Sequence, residues 1–364
     1  MISVVELFSG VGAQRMALRN IGVDHTVECV CEIDKYAHRS YEAIHGETHN
    51  LGDISAVDKL PEADLWTYSF PCTDLSLAGK QAGMDRSSGT RSGLLWEVER
   101  LLKTAQEDGS LPKYLLMENV KPLVGDKFIG SFNEWQSVLW DMGYRNFWKV
   151  LNAKDYGVPQ NRERVFMVSV LGETDGYAFP TAKRLEKRLV DMLEQDVDEK
   201  YYLTYKAIEY MNRERNGKPR WEYHSNDPDG VASCIPAVIY KGTPYGVITP
   251  KLQIAGHIVD DKMQDHAKRI YSPDGLSPTI HTMQSGGTHP KILADSPRRL
   301  TPQECWRLMG FTDEDFHAAE AVNSNSQLYK QAGNSIVVPV LEAIFRSLLC
   351  DDPGDVEPMQ TSFL

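Results

Sequence analysis

Cysteine is scarce in this sequence, and the few copies present are not spaced for a metal site. The 364 residues contain six cysteines, none of them in a C-x-x-C pair, and no histidine cluster completes a zinc set. We therefore expect reduced thiols and no metal centre. A single free cysteine is most often a buried structural residue, so a reactive thiol has to be argued from its neighbours.

Long apolar runs are also absent. No stretch approaches the roughly 20 apolar residues of a membrane span, and the N-terminus lacks the charged and small-residue ends of a signal peptide. The length suggests about two domains, and a hydrophobic content of 41% with 25% charged residues is ordinary for a globular protein. We therefore predict a cytoplasmic protein that does not contact a membrane.

Positive charge is scarce overall but not everywhere. The net charge of −12 argues against indiscriminate binding to nucleic acid. Residues 201–300 nevertheless carry thirteen Lys and Arg against ten Asp and Glu, and five of the ten histidines. A locally basic segment in an acidic protein fits a confined surface that faces DNA, although a chance fluctuation in composition would give the same small excess.

The N-terminal region has the pattern of a nucleotide-binding fold. Its predicted elements are a strand, a glycine turn, a helix and a second strand, at 4–8, 9–12, 13–20 and 27–31. Glycines allow a tight turn and close approach of a ligand, and Glu32, 22 positions after Gly10, lies where an acidic residue reaches a ribose hydroxyl. The third glycine of a complete dinucleotide motif is missing, so these residues alone leave a nicotinamide cofactor open.

A thiol, a carboxyl and two arginines lie at the ends of predicted strands. The positions are Cys72 after the strand at 65–70, Glu118 after the strand at 114–117, and Arg162 and Arg164 before the strand at 165–170. In an open α/β sheet, ligands bind outside the carboxyl ends of the strands. We therefore predict that these side chains meet at one rim of the sheet, where Cys72 is placed as a nucleophile.

Five short motifs resemble, in their order, those of the cytosine-C5 DNA methyltransferase family. They are Phe8-Ser9-Gly10-Val11-Gly12, Pro71-Cys72, Glu118-Asn119-Val120, Gln160-x-Arg162-x-Arg164 and Gly333-Asn334-Ser335. Each motif alone is weak, but all five in order are specific, and only the middle third of the chain is unmatched. The flank from 89 to 97 further resembles the CpG-methylating branch. Ser69 and Glu6 stand where the family usually has glycine and aspartate, and neither removes a reacting group.

The resemblance implies a covalent mechanism on the cytosine ring. Cys72 would add to C6 as a thiolate, Glu118 would share a proton with N3, and Arg164 would hold O2. Arg162 would support the pocket or a phosphate, and Asn119 is a candidate to position a water that removes the C5 proton. The methyl group would come from S-adenosylmethionine (SAM).

The same resemblance implies a cofactor site and contacts to DNA. Phe8 would stack on adenine and Asp53 would accept a hydrogen bond from the adenine amino group, although core packing and a solvated turn also explain these two residues. The other residues implied at the cofactor are Gly10, Gly12, Glu32, Ile54, Pro71, Asn334 and Ser335. The residues implied at DNA are Ser76, Lys80, Gln160 and Thr279.

The expected fold is α/β, with a Rossmann-like sheet of the SAM-dependent methyltransferase type and a smaller, mostly irregular and β target-recognition domain. The predicted catalytic domain is 1–172 plus 328–350, the target-recognition domain 173–297, the connecting hinge 298–327 and a frayed polar tail 351–364. The stretch 79–93, rich in Gly and Ser, is predicted to be a loop that closes over a bound nucleotide. Tyr329 to Ser335 is predicted as a turn before a final apolar helix.

The predicted function is a DNA (cytosine-5-)-methyltransferase that flips its target base out of duplex DNA. We expect a monomer, with a cognate restriction endonuclease considered as a genetic partner. Three alternatives stay open: an RNA (tRNA) cytosine-C5 methyltransferase, a non-catalytic partner that binds SAM and DNA, and a nicotinamide-dependent oxidoreductase with a catalytic cysteine. The recognition sequence is not readable, because the resemblance fades in the segment that reads bases; the CpG-like flank points only weakly to a CG-containing site.

Overall fold

The computed structural model describes residues 1–75, 83–84, 86, 90–203, 229–237, 239, 247–248 and 298–360. Five further short strands between 214 and 271 are described by their backbone alone. Short elements are the helical turns Ile54–Ala56, Arg91–Leu94, Lys121–Val124, Ala153–Tyr156, Leu189–Met192 and Glu199–Tyr201.

A six-stranded sheet forms the centre of the described structure. Its strands are β1 Ile2–Leu7, β2 His25–Cys31, β3 Leu65–Tyr68, β4 Tyr114–Val120, β5 Tyr144–Asn152 and β7 Glu163–Leu171, in the order β2-β1-β3-β4-β7-β5. The first four strands run parallel, whereas β7 runs antiparallel to β4 and β5. The carboxyl ends of β1, β3 and β4 therefore share one edge with the beginning of β7.

Helices cover both faces of this sheet, and each face has its own apolar core. The helices are α1 Ala13–Asn20, α2 Lys35–His45, α3 Leu95–Glu107, α4 Ile129–Asp141, α5 Pro302–Arg307, α6 Asp313–Glu320, α7 Asn325–Asn334 and α8 Val338–Leu349. Val4 and Leu65 pack with α1 and α8 on one face, while their neighbours Val5 and Trp66 pack with α3 and α4 on the other. Successive strand residues point to opposite faces, so these apolar runs are buried on both sides.

Further short strands lie outside the central sheet and pair with one another in small separate sheets. They are β6 Gln160–Asn161, β8 Glu214–Arg215, β9 Lys218–Pro219, β10 Ser225–Asn226, β11 Ala232–Ser233, β12 Val247–Ile248, β13 Ile254–His257, β14 Arg269–Tyr271 and β15 Arg298–Arg299. β11 pairs in parallel with β6. This pairing places part of the predicted recognition segment directly beside the arginine motif at 160–164.

The expected α/β fold is confirmed, and α1 has its predicted bounds. The segment from Tyr329 to Ser335 was predicted as a turn, but Tyr329 to Asn334 form the second half of α7, and Ser335 is its C-cap. Leu328, Tyr329 and Ala332 bury one side of this helix in the first core cluster, where α7 packs against α5 and α2. The turn prediction was therefore wrong.

The C-terminal tail is also more ordered than predicted. Val356 and Gln360 form antiparallel bridges with Pro180 and Tyr177. Glu357 N donates to the Phe179 carbonyl at 2.9 Å. The Glu357 carboxylate forms an ion pair with Lys149 of β5. Main-chain hydrogen bonds hold residues 355–360 against residues 177–181. The polar composition of the tail suggested fraying, but composition does not predict this pairing.

The domain boundaries stay a prediction. Phe179 and Met192, from the predicted recognition domain, are buried in the same core cluster as α1, and so is Trp306 from the predicted hinge. Helix α5 in the hinge begins with a capping box: Thr301 Oγ1 accepts from Glu304 N at 3.2 Å, and the Glu304 carboxylate accepts from Thr301 N at 2.8 Å.

One described segment, 325–349, is long and apolar enough to cross a membrane, judged by length and composition alone. In the structure it forms two helices, α7 and α8, and 50% of its most apolar window is buried inside the protein. Val338, Leu341 and Ile344 pack in the core next to α1. The segment therefore serves as a core element of this fold.

Candidate active site

Three predicted catalytic side chains meet where the sheet changes from parallel to antiparallel. Val120 at the end of β4 pairs with Arg164 at the start of β7, and β3 lies on the other side of β4. The chain after β3 turns so that the Cys72 thiol lies within the electrostatic field of Glu118 and Arg164. Thiol, carboxyl and guanidinium therefore share one rim, as their positions at strand ends predict.

Glu118 and Arg164 form an ion pair that is built into the sheet. The distance from Arg164 Nε to Glu118 Oε1 is 3.2 Å. Glu118 lies opposite Phe166, two residues from Arg164, so the two side chains project from the same face of neighbouring strands. Glu118 is only 9% exposed. The carboxyl is thus held in place and largely shielded from water.

Burial raises the pKa of both reacting groups. The pKa of Glu118 is raised because burial disfavours its charged form more than Arg164 and Arg162 favour it. The pKa of the Cys72 thiol is raised by burial and then by the Glu118 carboxylate, against the opposing effect of the two arginines. A proton on Glu118 removes one of the charges that hold the proton on Cys72, so the two groups titrate as a coupled pair.

Arg162 is enclosed rather than open to the rim. Its Nη2 donates to the carbonyls of Gly333 and Ser335 at 2.9 and 2.7 Å, and its Nη1 donates to the Ile235 carbonyl at 3.0 Å. The residue is 4% exposed, and burial lowers its pKa. These contacts let Arg162 hold the surrounding backbone together, and its predicted role, support of the pocket or a phosphate contact, stays a prediction.

Asn119 holds the turn that leads to the nucleophile. Its Nδ2 donates to the Phe70 carbonyl at 2.9 Å, and its Oδ1 accepts from Val120 N at 2.8 Å. The residue is 2% exposed. Both ends of the amide are used inside the protein and fix this turn, and the predicted placement of a water by Asn119 stays a prediction.

The Gln160 side chain is directed into the protein interior and is fully buried. Nε2 donates to the Leu308 carbonyl at 2.7 Å, and Oε1 accepts from Ile235 N at 3.1 Å. This amide joins three segments of the protein interior, and its predicted contact with DNA stays a prediction.

The glycine turn after β1 is strained and holds an acidic side chain. Phe8 has φ 58°, the only positive φ of a non-glycine residue in the part of the chain that the structure describes. Such strain persists only where the surroundings impose it and is concentrated at functional sites. Gly10 N donates to Glu32 Oε2 at 2.9 Å, and Asp34 N donates to Glu32 Oε1 at 2.7 Å. A Cβ on Gly10 would meet no atom within 4 Å.

The other residues predicted at the cofactor differ in their surroundings. Asp53 is exposed and its Oδ1 accepts from a following backbone N–H at 2.9 Å, whereas Ile54 is 2% exposed and packs in the second core. Pro71 is half-buried beside the nucleophile. Asn334 is exposed, and Ser335 is half-buried and tied by its carbonyl to Arg162. The motif at the end of α7 therefore connects to the rim of the sheet through Arg162.

Three residues predicted to contact DNA, Ser76, Lys80 and Thr279, lie outside the described residues. Most of the predicted loop at 79–93 lies outside them as well. These assignments stay predictions.

Two side chains near the site were not singled out from the sequence. Ile33 is 73% exposed between Glu32 and Asp34, an unusual position for a large apolar side chain. Cys234 is exposed, and its Sγ lies 3.5 Å from Arg162 Nη1. Although the residue as a whole is exposed, the protein around its sulfur desolvates the thiol and raises its pKa, but Arg162 and Arg164 outweigh that effect and lower the pKa. No sequence pattern pointed to Cys234, because the segment before it contains no recognisable motif.

The architecture first defines a class. A solved structure of the methyltransferase EhMeth from Entamoeba histolytica superposes with a TM-score of 0.70 at 17% sequence identity, covering 96% of this chain and 98% of that chain. At this identity the likeness concerns the fold alone, and it shows that the chain has a methyltransferase fold.

Sequence relatives then define the family. The family model described as C-5 cytosine-specific DNA methylase matches residues 2–350. Type II methyltransferase M2.ScrFI of Lactococcus lactis subsp. cremoris is 34% identical, covering 96% of this chain and 99% of that protein. Orphan methyltransferase M.SPBetaI of Bacillus phage SPbeta is 33% identical, covering 96% and 97%. The chain belongs to the C-5 cytosine-specific DNA methylase family, and the family predicted from its motifs is confirmed.

Proposed function

We propose that this protein is a DNA (cytosine-5-)-methyltransferase in which Cys72 is the nucleophile. The observation that carries the proposal is that Cys72, on the turn after β3, lies at the same rim of the sheet as the Glu118–Arg164 ion pair, in a chain of this family. Cytosine C5 is a poor nucleophile, and addition of a thiolate to C6 makes it enamine-like. Cysteine suits this step, since its thiolate is intrinsically nucleophilic.

The charge displaced into the ring is met by the other two side chains. When the sulfur of Cys72 bonds to C6, the π pair of the C5–C6 bond shifts to C4–C5, and the π pair of the C4–N3 bond moves onto N3, which shares the charge with O2. Glu118 gives its proton to N3, a role that its raised pKa supports because the carboxyl stays protonated at higher pH. The Arg164 guanidinium, always charged, donates to O2. After methylation C5 loses its proton, the electron pair of that C–H bond restores the C5–C6 double bond, the C6–S bond breaks to release the Cys72 thiolate, and N3 returns its proton to Glu118.

Proton transfer between the two acids prepares the nucleophile. In the free site Cys72 carries its proton, because burial and an ionised Glu118 both raise the pKa of the thiol. Once Glu118 is protonated, only burial opposes ionisation, and the guanidinium groups of Arg162 and Arg164 favour the thiolate. The reactive state is therefore thiolate plus neutral carboxyl, and the arginines stabilise it.

The glycine turn and its neighbours fit SAM, which supplies an activated methyl group as a sulfonium. Glu32, fixed by Gly10 N and Asp34 N, has the place of a ribose ligand. Phe8, in its strained conformation, and the exposed Ile33 offer apolar surface to an adenine ring. The open space above Gly10 allows close approach to the backbone. Asp53, Ile54, Pro71, Gly12, Asn334 and Ser335 complete the proposed site.

A base inside a duplex does not reach a half-buried thiol. Extruding the target nucleotide costs a few kcal/mol, and methyltransferases act on bases in this way. We assign this step to the loop after Cys72, with Ser76 and Lys80, and to the segment 173–297, with Thr279, working on double-stranded DNA. The proposed enzyme is a cytoplasmic monomer. The two relatives include a type II enzyme and a phage orphan, so a cognate endonuclease remains a genetic question.

The test is methyl transfer by Cys72→Ala to duplex DNA. We expect the variant to bind SAM and DNA but to transfer no methyl group, because alanine offers no nucleophile. Cys350→Ala is the matched control, since Cys350 is also half-buried and no catalytic motif contains it. Methylation by Cys72→Ala at the normal rate would show that the nucleophile assignment is wrong. Transfer by the wild type to tRNA but not to duplex DNA would establish the RNA alternative instead.

A further inference from the structure

A buried serine lies against the turn that carries the nucleophile. Ser92 is fully buried, although it lies 20 positions after Cys72 in the chain. Its Oγ donates to the Pro71 carbonyl at 2.6 Å and accepts from Asp74 N at 3.3 Å. Its own N–H donates to Asp74 Oδ2 at 3.3 Å. A single residue therefore contacts the chain on both sides of Cys72.

The turn is held from its other side by Asn119. Asn119 fixes the carbonyl of Phe70, and Ser92 fixes the next carbonyl, that of Pro71. The turn is closed locally by Leu75 N, which donates to the Cys72 carbonyl at 3.1 Å. Asn119 belongs to β4 and secures the strand end, so it does not constrain the chain after Cys72. That constraint comes from Ser92 through Asp74.

The same contact closes the base of the predicted catalytic loop. The chain leaves the site at Asp74 and returns at Ser92. Between them, Gly83 N donates to the Asp74 carbonyl at 3.1 Å, and Thr90 Oγ1 donates to the Gly83 carbonyl at 2.8 Å. The two ends of the loop and the turn at Cys72 thus form one hydrogen-bonded unit, and Ser92 is its central member.

We propose that Ser92 is a positioning residue for methyl transfer, which holds the peptide around Cys72 so that the sulfur faces the C6 position of the target base. The inference rests on the proposed function of Cys72. Its physical basis is the sensitivity of reaction rate to geometry, since a misplacement of about 1 Å can cost roughly a hundredfold in rate. The hydroxyl acts through the backbone and touches neither substrate nor cofactor.

The experiment compares Ser92→Ala with Ser169→Ala. Ser169 is also fully buried and lies in β7, and its Oγ has no hydrogen-bond partner among the described residues. The measurement is the rate at which each variant forms a covalent adduct with duplex DNA containing 5-fluorocytosine, in the presence of SAM. Dissociation constants for SAM and DNA and melting temperatures are measured alongside.

We expect Ser92→Ala to slow adduct formation by at least about tenfold, while both dissociation constants stay within about twofold of the wild type. Ser169→Ala should form the adduct at the wild-type rate. Ser92→Thr, which keeps the hydroxyl donor, should be faster than Ser92→Ala, and this comparison also applies if the alanine variant folds poorly.

Two results would overturn the inference. One is adduct formation by Ser92→Ala at the wild-type rate. The other is a parallel loss of rate, SAM binding and DNA binding that Ser92→Thr does not relieve, which would mean that the serine only maintains the fold. If the wild type itself forms no adduct, the proposed function fails, and that outcome is distinct from both.

Discussion

At the scale of single residues, burial decides the chemistry of the rim. Glu118 is surrounded by protein on a strand, and this raises its pKa even though Arg164 lies 3.2 Å away. A carboxyl on the surface beside the same arginine would have a lowered pKa and would donate no proton near neutral pH. In the proposed mechanism, the desolvation of Glu118 is therefore what would let it act as the acid toward the cytosine ring.

Glu118→Gln tests this role directly. The amide keeps the size of the side chain but removes the transferable proton, so we expect methyl transfer to fall by about 10²- to 10⁴-fold with little change in SAM affinity. Glu163→Gln is the matched control, because Glu163 starts β7 on the same rim but is exposed and paired with Lys121. Equal activity of both variants would contradict the assignment of Glu118.

A second acid, Glu6, predicts a pH dependence of stability. Glu6 is fully buried in β1 and accepts a hydrogen bond from Tyr41 Oη at 2.5 Å, and burial raises its pKa to about 7. The folded state then holds this proton more tightly than the unfolded chain does. The corresponding stability is complete below pH 4.5, the ordinary value, and is lost as the pH rises through about 7.

The size of this effect is about 3 kcal/mol, at roughly 1.4 kcal/mol per pKa unit. Denaturant titrations at pH 5 and pH 8 should show a smaller loss of unfolding free energy for Glu6→Gln than for the wild type. Glu28→Gln, at an exposed position on β2, should behave as the wild type does. An identical loss in all three proteins would rule out Glu6 as the source.

The sequence predicted which residues reach the rim but not which way their side chains point. Cys72, Glu118 and Arg164 follow from strand ends and motif order. Gln160 and Arg162 belong to the same motif, yet both are enclosed by carbonyls from 235, 308 and 333–335. Those partners are distant in the chain, so no local pattern shows that they cover these two side chains.

At the scale of elements, the turn between β1 and α1 shows why a glycine is required. Gly12 has φ 80°, and a Cβ there would lie 2.5 Å from His45 Nε2 and 2.7 Å from a ring carbon of Tyr41. The helix α2 therefore packs against the bare backbone of the turn. Position 12 requires glycine because α2 packs directly against the backbone there, whereas Gly10 faces open space.

Gly12→Ala and Gly157→Ala separate strain from steric clash. Gly157 has φ 86° in the same left-handed region, with nothing within 4 Å of its Cβ position, so its substitution should cost about 1 kcal/mol for the backbone alone. Gly12→Ala should cost a further 1–3 kcal/mol or so from overpacking. Urea unfolding of both variants measures the difference, and equal costs would argue against the close packing of α2.

Element prediction succeeded where apolar periodicity was strong and failed where packing was mixed. The strands β3 and β4 are continuous apolar runs and were predicted. Helix α2 was not, because its buried residues are only Ala37, Ser40 and Tyr41. Strand β5 was not either, since it buries Asn146, whose Nδ2 donates to the Gln136 carbonyl at 3.0 Å. Polar groups satisfied by distant partners leave no periodic signal.

At the scale of the whole molecule, the C-terminal part of the chain packs against the N-terminal sheet and the segment after β7. Residues near the C-terminus return to the first core through α8, and 355–360 then pair with 177–181. The N-terminal sheet, the segment after β7 and the C-terminal tail therefore stabilise one another. Contacts of such long sequence separation are beyond what composition or local motifs predict.

Removal of residues 355–364 should destabilise the protein by about 2–4 kcal/mol, at roughly 1 kcal/mol for each hydrogen bond lost to the strip at 177–181. Removal of 361–364 alone is the control, because it keeps these bonds. Thermal unfolding followed by circular dichroism measures both. A full-length melting temperature in the longer deletion would contradict a stabilising role for the docked tail.

The central claim is that a covalent bond forms between Cys72 and the pyrimidine ring, and the most direct measurement is mass spectrometry of a trapped complex. The protein is incubated with SAM and duplex DNA that contains 5-fluorocytosine, whose fluorine does not leave as a proton does. After digestion, we predict a nucleotide adduct on the peptide that contains Cys72. An adduct on another cysteine, such as Cys234, or no adduct while unmodified DNA is still methylated, would contradict the account.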